Sequence, residues 1–564
     1  MKQLEQLLRQ SDHKPYPAYK SLKGRYRFPF YQLSIEHVQG DPFASPSSLS
    51  IQISAESHGF PKEYYASEHR RIMLQDLLLR SFRRELGKVS RKVNGSGKSG
   101  TLSVSSCGQE VLSRSALTVD PDSGLLTVRF SAGFPAAGRT TLAMELKKML
   151  MEFVPAAAQR SLLSRAIPKD TVTRWISLAD DQKAIRDQLE DKDLVAFVAD
   201  GAILPRRSGV DDTPMASAIP FESPEKDRVT LTLPNGRSIT GLGIRHGITL
   251  IVGGGYHGKS TLLQALERGI YDHIPGDGRE YVITERTATK IRSEDGRSVK
   301  QLDISTFIRN LPNGKNTASF STEDASGSTS QAANTVEAIL SGSRTLLIDE
   351  DTTATNFMVR DALMQSVIHP DQEPIVPFLS RMRALYGKQG ISTILVAGSS
   401  GAFFHVADTI LQMKEYRPLD ITDTAKTAAA EQEDAPEQPT ELGDFRDVRV
   451  PLQNREILDA RRVKVRGSGT DSISLNHESV ELRFVEQIVD NEQTNLLGLL
   501  LRVLEENHFN GKTPLTQCVE ELYQKLLQQG FNLVPGERIP GNLAMVRPQE
   551  LWAMVNRYRA LRLK

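Results

Sequence analysis

Nine consecutive residues carry the sharpest chemistry in the chain: Gly253, Gly254, Gly255, Tyr256, His257, Gly258, Lys259, Ser260 and Thr261, in the pattern G-x-x-x-x-G-K-S. Glycines let a backbone turn sharply, adopt positive φ and bring its N–H groups close to an anion. The run follows an apolar stretch, Ile-Thr-Leu-Ile-Val at 248–252, and opens a helix-like one, Thr-Leu-Leu-Gln-Ala-Leu at 261–266. Strand, glycine turn, helix is the order needed to wrap phosphates, because the helix N-terminus adds its partial positive charge. In that geometry Lys259 reaches the β and γ phosphates, and Ser260 offers a hydroxyl to Mg²⁺. A glycine turn that merely ends a strand is the bland reading, and the two flanking elements together disfavour it.

A second apolar run, Thr-Leu-Leu-Ile at 345–348, ends in Asp349 and Glu350. Beside a phosphate loop, the first acid holds Mg²⁺ through its water shell, and the second orients or deprotonates an attacking water. Asp349 therefore reads as the metal holder and Glu350 as the catalytic base, with Lys259 as the cation on the transferring phosphate. A buried strand ending in one surface acid is common; an Asp-Glu pair downstream of a complete phosphate loop is much less so.

Other glycine clusters test how specific this reading is. Residues 94–100 read Asn-Gly-Ser-Gly-Lys-Ser-Gly, but Lys92 stands where the first glycine belongs and no apolar strand precedes. That loop is expected to be flexible and basic, suited to a phosphodiester chain. Residues 133–141 read Gly-Phe-Pro-Ala-Ala-Gly-Arg-Thr-Thr, with Arg139 in place of lysine and Pro135 lacking a donor N–H. Neither is expected to hold a nucleotide.

Ahead of the acid pair, Ala325, Ser326, Gly327, Ser328, Thr329, Ser330 and Gln331 lead into a helix-like run. Alone this is an ordinary turn; with its flanking motifs it is a second helix N-terminus aimed at an anion. It resembles the signature segment of ABC-type ATPases, whose Ser and Gly N–H groups contact the γ-phosphate held by the other subunit. The likeness extends to one group, the family described as predicted ATPases of the ABC class. It is carried by the phosphate loop, His-Ile-Pro-Gly-Asp-Gly-Arg-Glu at 273–280, the signature segment, and Leu-Ile-Asp-Glu-Asp-Thr-Thr-Ala-Thr-Asn-Phe-Met at 347–358. Val-Gln-Gly-Asp-Pro-Phe-Ala at 38–44 and Leu-Pro-Arg-Arg-Ser-Gly at 204–209 look like that family too, so the resemblance covers most of the chain.

The resemblance implies ATP and Mg²⁺ as ligands and an ABC core flanked by two extra domains. It also implies hydrolysis at a homodimer interface, where Ser326, Gly327, Ser328 and Thr329 of each copy cap the other's phosphate loop. A member of the family binds RNA, which makes RNA the implied partner here. The chain departs from the broad ABC pattern after the strand-like run 392–397. A switch histidine is usual there, and Gly398, Ser399, Ser400 and Gly401 stand instead. Ser399 is then the expected γ-phosphate sensor, a neutral donor weaker than imidazolium. Slow turnover follows, more switch than motor. Asp303 and Ser305 take the place of the glutamine loop, and 352–356 that of the dimer-contacting loop. Tyr256 and Phe221 are the aromatic candidates for stacking on adenine.

These motifs need elements to position them, and 564 residues suffice for several domains at roughly 150 residues each. Hydrophobic residues at 39% and charged residues at 25% describe a globular chain. No apolar run approaches the roughly 20 residues that cross a bilayer, so no membrane role is expected. Residues 1–14 read as a charged amphipathic helix, without the apolar stretch of a signal peptide. Two cysteines exclude a disulfide framework and a Cys-based metal site, and point to the cytoplasm. The expected fold class is α/β. An N-terminal α/β domain covers 1–235 and an ABC-type P-loop core 236–420. A flexible Ala/Glu/Pro-rich linker covers 421–448, and a small α+β, mainly helical domain 449–564. That last domain is expected to open with a basic strand (Arg461, Arg462, Lys464, Arg466) and to continue in a long helix over 480–506.

The net charge of +1 hides a local excess: between Lys62 and Lys98 stand ten basic residues against four acids. Arg80, Arg83, Arg84, Lys88, Arg91, Lys92 and Lys98 are the candidate contacts to nucleic-acid phosphates; a solvated helix face is the other reading. Two outputs compete for the ATP-driven movement. One is a clamp on nucleic acid, RNA first; the alternative is a regulatory or remodelling switch acting on a protein partner. A transporter subunit would be a shorter chain with a membrane companion, and is set aside. No H-E-x-x-H, G-x-S-x-G or C-x-x-C suggests a second enzymatic activity.

Overall fold

The computed structural model describes residues 1–360, 373–432, 442–458 and 463–564. They fall in two compact units, Met1–Asp180 with Gly536–Met545, and Asp181–Pro535 with Val546–Lys564.

The first unit is built on an antiparallel sheet in the order Gly24–Arg27, Gln32–His37, Ser47–Ile53, Leu126–Ala132, Leu102–Ser103, with Leu117–Val119 also paired to Leu126–Ala132. Alternating burial along Ser47–Ile53 and Leu126–Ala132 marks the face that packs inward. The helix Glu68–Val89 supplies Leu74, Leu78 and Phe82 to that core, and Phe82 meets Phe130 edge-on at 5.8 Å. The segment Gly536–Met545 is stitched into this unit through Ser115, whose hydroxyl donates to the Pro540 carbonyl at 2.6 Å and accepts from the Leu543 N–H at 3.0 Å.

The second unit holds the nucleotide-type core. Its main sheet runs Thr289–Ile291, Thr345–Asp349, Ser392–Val396, Ile248–Val252, Thr409–Lys414, Arg417–Asp420, parallel except for the last pair. Near-continuous burial of the central strands follows from helices lying against a parallel sheet. A four-stranded antiparallel sheet joins Arg228–Thr232, Ser238–Arg245, Leu194–Ala199 and Val282–Thr284. Residues 181–235, expected in the N-terminal domain, belong to this second unit because Leu194–Ala199 pairs with Val282–Thr284.

The C-terminal part forms a small sheet of Val465–Ser468, Ser472–Leu475 and Glu478–Glu481, covered by the helix Asn491–Val503. Gly498 brings that helix down onto the sheet: a Cβ there would lie 2.6 Å from Val465 and 2.9 Å from Ile473. The long helix expected over 480–506 is thus shorter at its front. Glu478–Glu481 is a strand, and Asp490 starts the helix with a capping box to Gln493. Helices Leu515–Gln529 and Pro548–Asn556 follow. The expected linker opens with a helix, Thr422–Ala430, which buries Ala425 and Ala429. Alanine loses no side-chain freedom in a helix, so the Ala-rich run folds once it has a surface to pack on. Residues 433–441, and Arg461 and Arg462 of the basic strand, lie outside the described residues. No described helix is long and apolar enough to cross a membrane.

Candidate functional site

The phosphate-loop strand Ile248–Val252 lies between Ser392–Val396 and Thr409–Lys414, and the helix Lys259–Arg268 follows the loop. Gly253 has φ +137° and Gly258 φ +95°, conformations that side chains rarely adopt. At Gly253 a Cβ would also stand 2.5 Å from the Met413 carbonyl oxygen. Tyr256 sits at φ +63° and is 99% exposed. The N–H groups of Gly254, Gly255, Tyr256 and His257 find no acceptor among the described residues. Lys259 bends over the loop and donates to the carbonyls of Gly253 and Gly254, each at 2.8 Å. Ser260 is exposed at the first helical turn, and Thr261 is half-buried behind it. The His257 ring lies against Gly254, and its Nδ1 accepts the Glu415 N–H at 2.9 Å, propping the Lys414–Arg417 hairpin, with Tyr416 against Gly258.

The acids arrive by register. Val396 pairs with Asp349 on one side and with Ile251 on the other, so Asp349 ends its strand level with the start of the phosphate loop. Two strand spacings separate them, about 10 Å. Asp349 is buried and accepts the Asp351 N–H at 3.3 Å. Glu350 is held by the loop after Ser392–Val396: the N–H groups of Gly398 and Ser399 donate to Oε2 at 2.5 and 3.1 Å, and the Ser399 hydroxyl donates to Oε1. Gly398 is the junction of the motifs, since a Cβ there would be 3.9 Å from Glu350 Oε2 and 4.0 Å from Lys259 Cε. Ser399, expected to sense a γ-phosphate, spends its hydroxyl on Glu350 in this structure.

The signature segment is positioned separately. Ser326 caps the helix Gly327–Leu340, and its hydroxyl lies 3.0 Å from that of Thr329. Ser328 donates to Asn356 Oδ1 at 2.6 Å. Gly327 is closely backed, because a Cβ there would stand 2.8 Å from Ser293 Oγ and 3.5 Å from the Ala354 Cβ. A cleft of about 380 Å³ opens in front, lined by Ser326, Thr329, Asn356, Ile308, Leu311 and Ile375. Asp303 and Ser305 bond to each other, the Ser305 N–H and hydroxyl donating to Asp303 at 2.9 and 2.6 Å. Phe221 is buried, which removes it as an adenine-stacking residue.

In the first unit the basic stretch divides. Arg80 donates to Asp76 at 2.5 Å, and the Asp76 side chain is fully buried, so Arg80 is a core ion pair and not a free phosphate contact. Arg70 is likewise tied to Asp180 at 2.7 Å, and Lys88 to Glu85 at 2.6 Å. Arg83, Arg84, Arg91, Lys92 and Lys98 are exposed, with Arg84 3.8 Å from Glu85. The loop 94–100, expected to be flexible, is pinned: its N–H groups at Ser96, Lys98 and Gly100 donate to Ala136, Pro42 and Gly133. The second glycine cluster packs directly against the first. In it Phe134, Ala136 and Gly138 spend their N–H groups on Gln39, Ser99 and Ser96. The role of Tyr416 carries no signal in the sequence, and Gly398 is legible there only as part of the run that stands in place of the switch histidine.

Residues 168–447 match the family model described as ABC_ATPase, P-loop domain. Residues 1–165 match ABC_N, ATPase of the ABC class N-terminal, and residues 464–564 match the MRB1590 C-terminal domain. An uncharacterized protein of Methanocaldococcus jannaschii is 35% identical over 209 residues, covering 35% of this chain and 46% of the relative. The match therefore spans less than half the length of that curated relative. Among solved structures, cbiO1 from Clostridium perfringens, part of the cbiONQ ABC transporter complex, is similar at 15% identity and a TM-score of 0.27, over 43% of this chain and 92% of its own. A bacterial Atm1-family ABC exporter with ATP bound is similar at 16% identity and a TM-score of 0.25, over 53% and 54%.

Proposed function

The chain belongs to the family of ATPases of the ABC class, and on that premise we propose that it is an ATP-hydrolysing switch in which two copies enclose two nucleotides and the closure grips nucleic acid, RNA first. The observation that carries the ATPase reading is the row of unengaged N–H groups at Gly254, Gly255, Tyr256 and His257, with Lys259 folded over their mouth. Triphosphate oxygens take those amides, and the Lys259 ammonium exchanges the Gly253 and Gly254 carbonyls for phosphate. The Ser260 hydroxyl and the Asp349 carboxylate are the hard oxygen donors that suit Mg²⁺, and they would hold it. That ion supplies charge neutralisation along the phosphate chain. Glu350, fixed by Gly398 and Ser399, orients the attacking water.

Each copy has one complete phosphate loop and, elsewhere on its surface, one signature helix N-terminus. Pairing two copies head to tail lets Ser326, Gly327, Ser328 and Thr329 of one close on the nucleotide of the other. Support for the nucleic-acid output is narrower than the sequence suggested, since Arg80 is tied to the buried Asp76. It rests on Arg83, Arg84, Arg91, Lys92 and Lys98, with Phe43 63% exposed beside Gly97. Cations interleaved with an exposed ring suit single strands, which offer phosphates and stackable bases.

The test is ATP turnover by the full chain, with and without single-stranded RNA, alongside Glu350→Gln. Turnover that is lost in Glu350→Gln and raised by RNA supports the whole reading. Turnover lost in Glu350→Gln but indifferent to every nucleic acid offered leaves the ATPase standing and transfers the output to a protein partner.

A further inference from the structure

The peptide behind the signature segment is held by the far end of the chain. Gly296, at φ +84°, is a joint between them. Its N–H donates to the carbonyl of Ala325, the residue before Ser326, at 2.8 Å, and its own carbonyl accepts from Arg559 at 2.7 Å. The same guanidinium donates to the Glu323 carbonyl at 2.7 Å, so Arg559 ties the segment that enters the signature turn to the neighbouring turn at Gly296. Arg557 makes a parallel connection one layer deeper. It is 9% exposed and pairs with Glu294, whose N–H donates to the Ser330 hydroxyl inside the signature helix at 2.9 Å. The neighbouring Ser293 N–H donates to the Thr352 carbonyl at 3.0 Å, in the turn that follows Glu350.

We propose that Arg557 and Arg559 are positioning residues that set the phosphate-capping conformation of the signature segment, and so couple the C-terminal module to ATP hydrolysis. Neither lies in the phosphate loop: Arg557 acts through Glu294 and Asn334, and Arg559 through Gly296 and Glu323. A guanidinium with two fixed carbonyl acceptors holds a peptide more rigidly than an ammonium could, because its donors are planar and diverge at a set angle. The inference rests on the two-copy reading above, in which the signature segment serves the nucleotide of the other chain. An arginine that positions it must therefore matter in trans.

That requirement separates positioning from mere support. The full-length Arg559→Ala chain should bind a fluorescent ATP analogue within twofold of wild type, since its own phosphate loop is intact, yet turn over at least tenfold more slowly. Arg559→Lys, which keeps the charge but loses the planar fork, should fall between. Mixing Arg559→Ala with an inactive Lys259→Ala chain should restore activity to about a quarter of the wild-type rate, as half the dimers regain one sound site. A control pair, Lys259→Ala with Ser328→Arg, blocks the signature directly. If the control complements while Arg559→Ala runs at the wild-type rate, or is slow but fails to complement, the arginine proposal is overturned. If the control itself fails to complement, the two-copy reading falls and the proposal with it. Should Arg559→Ala not fold, Arg557→Lys is put through the same mixing, with the same outcomes deciding.

Discussion

The Ser399 hydroxyl donates to one oxygen of the Glu350 carboxylate while the Gly398 and Ser399 N–H groups hold the other. The acid that follows the strand Thr345–Asp349 is thereby fixed by the loop after a neighbouring strand, where the ABC pattern usually places a histidine. Removing the hydroxyl takes away one charge-assisted bond, of about 1.5–3 kcal/mol. Ser399→Ala should lower kcat about tenfold or more and leave KM unchanged, with Ser399→Thr close to wild type. Steady-state kinetics of the three proteins decide it; an unchanged kcat in Ser399→Ala would show that the backbone donors suffice.

Glu350→Gln keeps the size of the side chain but removes the charge that, on the proposed function, orients water. Turnover should fall by about two orders of magnitude or more, within the range of general-base catalysis, while ATP binding persists. Light scattering should then find an ATP-dependent dimer that the wild type only passes through. A variant that hydrolyses normally would remove Glu350 from the reaction.

At Gly258, φ is +95° and a Cβ would stand 3.1 Å from the Tyr416 ring, close enough that the half-exposed ring must shift. Gly258→Ala adds left-handed strain of roughly 1–2 kcal/mol at the mouth of the loop. Nucleotide affinity should drop at least tenfold, read by titration with a fluorescent ATP analogue, with only a small change in Tm. Unaltered affinity would mean that the loop tolerates other backbone shapes.

The divided basic stretch gives opposite expectations for adjacent arginines. Arg80→Ala strands the buried Asp76 carboxylate and should cost about 1–3 kcal/mol of stability, without changing the salt dependence of RNA binding. Replacing Arg91, Lys92 and Lys98 together should spare stability and reduce the slope of log K against log salt by about 0.7 for each phosphate no longer neutralised. If instead Arg80→Ala flattens the slope, Arg80 leaves Asp76 when RNA binds.

One carboxyl pair predicts a pH effect on folding. Burial, and then the Asp420 carboxylate, push Asp227 up to about 6, while the Thr422 N–H, donating to Asp420 at 2.7 Å, helps keep that partner low against its own partial burial. Folded Asp227 keeps a proton that the unfolded chain releases near the ordinary carboxylate value of about 4. Its contribution to stability therefore falls as pH rises from about 4 to about 6. Asp227→Asn should gain stability over wild type at pH 7 and lose most of that gain at pH 4.5, measured by urea unfolding. Equal differences at both pH values would place the titration elsewhere.

Much of the core is legible in the sequence because its chemistry is contiguous. A phosphate loop is a backbone shape written in neighbouring glycines, with its strand and helix on either side, and Asp349-Glu350 is a strand end read in the same local way. The Asp490 capping box is equally local, yet a longer apolar period masks it, and the Ala-rich run after 421 reads as linker although alanine favours helix. What spacing cannot carry are partners brought together only by folding. The Ser399–Glu350 bond depends on two parallel strands lying side by side; Arg80 and Asp76 have the i,i+4 spacing of helix neighbours, but only the fold buries Asp76. Arg557 meets Glu294 only because the chain's last turn returns to the back of the signature segment. The order of residues determines which groups are available and the local shapes they favour; burial and register decide which charges are spent internally and which remain for a ligand, because both depend on residues far apart in the chain.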